Sequence, residues 1–206
     1  SVAFDGVNDY AKSSTLPVDE SGAFSVAFWY QRPSSPVAGY ETLFALSEDS
    51  SAGNYRMWAL AFVAAGQSVF RIQVTDGVGG SAAQSNTIWT TIAGWNHLAI
   101  TCDATSGAAG TSKIYVNGAY QTGKDLATAA LDSSASSAFW IGAMRFGYST
   151  PGNYFDGNID EFSGWDRVLS ASEITALYNS GDPTDPRNTA GVTGDLSAYY
   201  RMGDAV

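Results

Sequence analysis

Phe155-Asp156-Gly157-Asn158-Ile159-Asp160-Glu161-Phe162, then Trp165-Asp166-Arg167-Val168-Leu169-Ser170, then Ser172-Glu173-Ile174-Thr175-Ala176-Leu177-Tyr178 read as a strand, a polar turn and a capped helix. Ser170 and Glu173 stand at capping-box spacing, where the hydroxyl caps an early amide and the carboxylate reaches back to the cap. Ile174, Leu177 and Tyr178 fall at i, i+3 and i+4 and make one apolar stripe. Asn179-Ser180-Gly181 supplies a left-handed stop, and Pro183 blocks continuation. This is the one good helix signal in 206 residues, so the helix is expected to pack on the edge or end of a sheet structure.

Everywhere else, short β-type runs alternate with Gly, Ser, Asn and Asp clusters. The clearest strands are residues 25–30, 41–46, 57–62, 69–74, 97–101, 113–116 and 138–142. Asn117-Gly118 between Lys113-Ile114-Tyr115-Val116 and Ala119-Tyr120-Gln121-Thr122 is a strong hairpin signal, because both turn residues accept positive φ. Regular strands without interleaved helices predict an all-β, two-sheet antiparallel sandwich. No linker splits the first 180 residues. Residues 182–206 read as an extended tail whose closing strand, Leu196-Ser197-Ala198-Tyr199-Tyr200-Arg201-Met202, is expected beside Val2-Ala3-Phe4. The length fits one domain over 1–206, which can bury roughly 70% of its unfolded surface without staples.

Twenty acidic residues against ten basic ones give a net charge of −10. That balance argues against nucleic acid and anionic membranes as partners, since both require clustered Lys and Arg. It fits a solubility surface, a secreted protein or one that gathers divalent cations. Cys102 is the single cysteine, which excludes an internal disulfide and a cysteine-based zinc site. A Cys102–His97 pair has no activating context, and an inert buried thiol is the simpler reading. No apolar run is long enough to insert in a membrane. Ser1 opens inside a strand, as expected where a signal peptide or preceding domains have been removed.

Several motifs in order resemble the laminin-G-like and pentraxin-like modules of the concanavalin A-like lectin/glucanase superfamily. Phe4-Asp5-Gly6-Val7-Asn8-Asp9-Tyr10 is similar to their opening strand, and Phe24-Ser25-Val26-Ala27-Phe28-Trp29 to their first sheet strand. Gly94-Trp95-Asn96-His97-Leu98-Ala99 resembles their W-x-H-V/L-A strand. Lys113 to Gly118 resembles their hairpin, and Phe155 to Leu177 their strand–turn–helix. Tyr199-Tyr200-Arg201-Met202-Gly203-Asp204 is similar to their closing strand. The resemblance implies a jelly-roll β-sandwich with one short C-terminal-region helix. It further implies a lectin-like recognition or adhesion module that binds a glycan or surface polysaccharide. Such modules are extracellular, at the cell surface or on a virion. The rival reading is a structural or decoration domain that contacts neighbouring domains or capsid proteins; the remote one is a glycoside hydrolase. Fold does not fix function among these.

The hydrolase reading needs two carboxylates about 5 Å apart, and adjacent Asp160 and Glu161 are expected on opposite faces of a strand. No catalytic residue is assigned. Calcium favours oxygen ligands in loops, and the resemblance implies two places for it. One is a rim site of Asn54, Asp76 and Asn153; the other is a structural site of Asp5 and Asp160. Sugar rings stack on aromatic faces while polar groups fix hydroxyls. Tyr40, Tyr55, Tyr148 and Tyr154, with Arg145 and Asn153, are the candidate ligand contacts in loops. Trp29, Trp95, Trp140 and Trp165 sit in motif positions and are expected in the core.

Overall fold

The computed structural model describes residues 1–19, 22–32, 41–48, 56–63, 69–76, 82–84, 94–103, 110–122, 126–128, 137–145 and 150–203. In chain order the strands are β1 (Val2–Asp5), β2 (Ala11–Ser13), β3 (Ala23–Gln31), β4 (Glu41–Glu48), β5 (Arg56–Val63), β6 (Val69–Asp76) and β7 (Ala82–Gln84). They continue as β8 (Trp95–Asp103), β9 (Gly110–Val116), β10 (Ala119–Tyr120), β11 (Leu126–Thr128), β12 (Ser137–Ile141), β13 (Asp156–Trp165) and β14 (Leu196–Tyr200), with helix α1 (Ala171–Tyr178) between the last two. Every pairing is antiparallel.

Two sheets face each other. The eight-stranded sheet runs β1-β13-β3-β8-β9-β10, with β11 also on β9 and β14 also on β13; the six-stranded sheet runs β2-β12-β4-β5-β6-β7. Alternation along β3 sends Phe24, Val26, Phe28 and Tyr30 into the sandwich, where they meet Phe44, Leu46, Phe139 and Ile141 of the opposite sheet. Cys102 lies in this inner core. The expected two-sheet jelly roll is therefore the observed fold.

Local chemistry behaves as the sequence predicts. Ser170 and Glu173 form both halves of the capping box. Asn179, Ser180 and Gly181 all take positive φ and stop the helix. Asn117 and Gly118 turn the β9–β10 hairpin with φ of 49° and 75°. A Cβ at Gly118 would also lie 2.9 Å from the Tyr178 ring, so the hairpin tip fits under α1 only as glycine.

Two features depart from expectation. The closing strand β14 pairs with β13 through residues 162–165, whereas β1 pairs with β13 through residues 156–159. The two terminal strands thus follow one another along one edge of β13 and do not lie side by side. The break between them is a β-bulge: Asp160 faces Trp29 and Ser163 faces Ala27, leaving Glu161 and Phe162 opposite Phe28. Glu161 has a φ of 52°. The extra residue resets the alternation, so that Ile159 and Phe162 both reach the inner core.

The bulge also corrects the reading of Asp160 and Glu161 as facing opposite ways. Asp160 Oδ2 lies 3.2 Å from the Ser1 nitrogen. Glu161 accepts a short hydrogen bond from the Tyr199 hydroxyl. Tyr199 pairs with Ser163, one step out of phase with core residue Phe162, so both carboxylates find partners on the sheet's outer side. Burial and the Glu161 carboxylate hold the Tyr199 hydroxyl well above the ordinary phenol range.

Candidate functional site

The outer face of the six-stranded sheet carries the most concentrated set of unassigned aromatic and polar groups among the described residues. In β12, Phe139 and Ile141 point into the core, so Trp140 points out. It forms a small cluster with Ala45, Ala138 and Met144. Backbone register places Lys12 of β2 on one side of Trp140 and Ala45 of β4 on the other. The same row of partners continues through positions Ala59, Gln73 and Gln84.

Tyr10 closes over this cluster. Its ring lies 5.4 Å from that of Trp140 and 6.5 Å from that of Tyr154. Lys12 Nζ sits 4.8 Å from the Trp140 ring centre, a cation–π arrangement. Trp140 is buried, but Tyr10 keeps 45% of its surface open. Trp140 Nε1 and Thr42 Oγ1 are buried with no partner among the described residues. An unsatisfied buried donor of this kind costs about 1–3 kcal/mol.

The adjoining rim is a tightly pinned hairpin. Met144 and Gly152 exchange backbone hydrogen bonds of 3.1 and 2.9 Å. The Thr42 amide donates to the Asn153 carbonyl at 2.8 Å, and the Phe155 amide to the Gly142 carbonyl at 2.8 Å. Asn153 takes a φ of 55°. The Tyr154 hydroxyl donates to the Pro151 carbonyl at 2.8 Å, which leaves its ring, not its hydroxyl, for contact with Tyr10. Gly142 allows the chain to leave β12 here: a Cβ would fall 2.4 Å from the Phe4 ring. Below the rim, Arg32 grips Glu41 with two hydrogen bonds of 2.7 and 3.2 Å, a buried bidentate pair.

Of the residues singled out from sequence, Arg145, Asn153 and Tyr154 share this hairpin. Tyr40, Tyr55, Tyr148 and Asn54 lie outside the described residues. Of the rim calcium set, Asn153 and Asp76 stand apart. Thr42, which holds Asn153, is in register with Ala61 and Arg71, and Asp76 lies five residues further along β6, about 17 Å away along the strand. The structural set also separates. Asp5 pairs with Asp156, four residues or about 13 Å along β13 from Asp160. Asp5 instead folds its own turn, accepting from the Val7 and Asn8 amides at 2.8 and 3.2 Å. Those bonds hold its carboxyl below the usual range. Among the described residues no group of three acidic, His or Cys side chains is placed to hold a metal ion.

Sequence reading missed Tyr10, Lys12 and Trp140 as a set. Trp140 was expected in the core and is indeed buried, but against the outer face. Strand β2 has three residues, too few for alternation to declare a face, and its position beside β12 is a long-range fact. Trp29 and Trp165 are buried as expected, but Trp95 is 40% exposed.

The comparisons agree with this architecture. A laminin G-like family model described as the concanavalin A-like lectin/glucanases superfamily matches residues 5–175, and the chain belongs to that family. No curated protein matches. A heptameric SAP-like pentraxin from Limulus polyphemus superposes with a TM-score of 0.63 at 13% identity, covering 97% of this chain and 89% of that one. The CBM40 of a Ruminococcus gnavus sialidase, bound to α2,3-sialyllactose, gives 0.57 at 18% identity, covering 76% and 83%. Domain 4 of an extracellular arabinanase from Geobacillus stearothermophilus, in complex with arabinotriose, gives 0.53 at 22% identity, covering 77% and 67%. At these identities the likeness establishes the fold alone.

Proposed function

We propose that this chain is a non-catalytic glycan-recognition module of an extracellular, cell-surface or virion protein. Its ligand, a glycan or surface polysaccharide, lies on the outer face of the six-stranded sheet beside the 142–155 rim. The observation that carries this reading is the Tyr10–Trp140–Lys12 cluster, with the Tyr10 ring tilted over the tryptophan. An open aromatic face rests on a buried tryptophan, beside a fixed cation, on a sheet row flanked by small residues. Tyr10 is the stacking face, Trp140 supports it, and Arg145, Asn153 and Tyr154 flank it on the rim. Relatives of the same fold bound to sialyllactose and arabinotriose support the ligand class. The non-catalytic part is supported by Asp160 and Glu161, whose carboxylates are each taken up by a donor of the scaffold.

A glycan array followed by calorimetric titration of the best binder tests the reading. Tyr10→Ala is expected to weaken that binding about tenfold or more, the loss of roughly 1.4 kcal/mol. Unchanged affinity would remove the sheet face as the site. Calcium assistance is proposed separately, with Asn153 as its remaining rim ligand. Weaker binding in EDTA supports it, and equal binding removes it. Silence across a broad array, together with incorporation into a larger particle, would favour the structural or decoration role.

A further inference from the structure

The eight-stranded sheet carries a second unassigned row near the same end of the sandwich. Ala3 of β1, Asn158 of β13, Gln31 of β3 and Trp95 of β8 are consecutive backbone partners. Their neighbours in sequence, such as Tyr30 and Ile159, point into the core, so this row faces outward. The next outward row, Asp160–Trp29–His97, is covered by Tyr178. Trp95 is thus the first aromatic beyond the shelter of α1, and this explains why a tryptophan expected in the core is 40% exposed.

Beside it lies a cleft of about 340 Å³, bounded by Gln31, Arg32, Asp156 and Asn158 over a floor of Ala3 and Gly157. That volume falls at the lower end of the range for small-ligand sites, about 300–1,000 Å³. Asn158 Nδ2 approaches Gln31 Oε1 at 3.5 Å, a long contact that leaves Asn158 Oδ1 as acceptor and Gln31 Nε2 as donor. Asp156 makes no side-chain hydrogen bond or ion pair with any described residue, so its carboxylate is a second acceptor. The one guanidinium nearby, Arg32, is committed to Glu41. The cleft therefore offers one amide donor and acceptors of net negative charge, and the half-open Trp95 stands outside its lining, one strand over from Gln31. That combination suits the hydroxyls of an uncharged sugar and opposes a carboxylated one.

We propose that this cleft is a second saccharide subsite, for a neutral pyranose stacked on Trp95 and hydrogen-bonded by Gln31, Asn158 and Asp156. It shares no residue with the Tyr10–Trp140 face and lies on the other sheet, so the module would hold glycan on two faces. The test follows the indole N–H resonances of the intact chain while lactose, cellobiose and maltose are titrated in separate samples, with 3′-sialyllactose as the charged counterpart. The Trp95 signal is assigned by Trp95→Phe. At least one neutral disaccharide is expected to move the Trp95 signal, with 3′-sialyllactose weaker. Asn158→Ala and Asp156→Asn are each expected to raise the apparent Kd of that shift at least about threefold, while Tyr10→Ala leaves it unchanged. A Trp95 signal that no neutral disaccharide moves would overturn the proposal. So would a shift indifferent to both cleft substitutions, or one abolished by Tyr10→Ala, which would make the two faces one site. Because Tyr10→Ala reports on the sheet-face reading and the cleft substitutions on this one, either can fail without the other.

Discussion

The two outer faces of the sandwich use similar side chains to opposite ends. On the eight-stranded sheet, Trp29 stacks 5.8 Å from Tyr178, the last residue of α1, with the His97 ring tilted 5.3 Å away, and both Trp29 and His97 are buried. Trp165 lies fully buried beside Leu169, Ile174 and Leu177, with its Nε1 donating to the Val192 carbonyl at 2.7 Å. Arg167 fastens the lid, bonding the Gly194 and Gly191 carbonyls at 2.9 and 3.2 Å and Glu173 at 2.7 Å. On the six-stranded sheet, Trp140 packs with Ala45, Ala138 and Met144 under Tyr10 and Lys12, and its Nε1 has no partner among the described residues. A sheet-face tryptophan is scaffold where an apolar helix satisfies it. Where its cover includes a half-open tyrosine, it supports a surface.

The sharpest way to break this contrast is Trp165→Ala. It should destabilise the fold by about 3–5 kcal/mol in urea unfolding. A loss below about 1 kcal/mol would mean that the helix is no seal.

Next in size is a pH effect. Burial pushes the His97 imidazole from 6.5 down to about 3. Unfolding therefore takes up a proton between those values. Stability is fully present above about pH 6.5 and is lost as the pH falls toward 3, at about 1.4 kcal/mol per unit. Glu173, held down to about 2 by Arg167, contributes its own loss only as the pH drops below about 4.5. The slope between pH 6.5 and 5 thus belongs to His97. About 2 kcal/mol should disappear across that interval in the native chain, and His97→Gln should flatten it. An equal slope in both would place the titrating group elsewhere.

Ser170→Ala should cost about 1 kcal/mol, the usual worth of an N-cap, read as a small fall in Tm. Smallest of all, Tyr10→Ala should change stability by less than about 0.5 kcal/mol even as it weakens glycan binding. If it destabilised the fold as much as Trp165→Ala, the open face would be scaffold too.

Much of the fold was legible in the sequence because its signals are local. A hydroxyl and a carboxylate three residues apart make a capping box wherever they stand, and Asn117-Gly118 can turn a hairpin without reference to the rest of the chain. The site was less legible. Arg145, Asn153 and Tyr154 were placed on one loop by adjacency. Tyr10, Lys12 and Trp140 meet only because β2 pairs with β12 across more than 120 residues. Asp76 stands apart from Asn153, and Asp5 from Asp160, for the same reason, since register and not residue type decides which strand end an aspartate occupies. Alternation, sound elsewhere, failed at Glu161, where a left-handed residue adds one position to the count.

The sequence by itself therefore determined the class of fold, the single helix with both its ends and the buried identity of most motif tryptophans. These follow from short-range hydrogen bonding and side-chain periodicity. Tertiary structure alone decided which tryptophan is sealed, which is half-covered and which, at position 95, stands free. Exposure depends on what packs above a residue, and here the covering pieces, Tyr178 for Trp29 and Tyr10 for Trp140, come from distant parts of the chain.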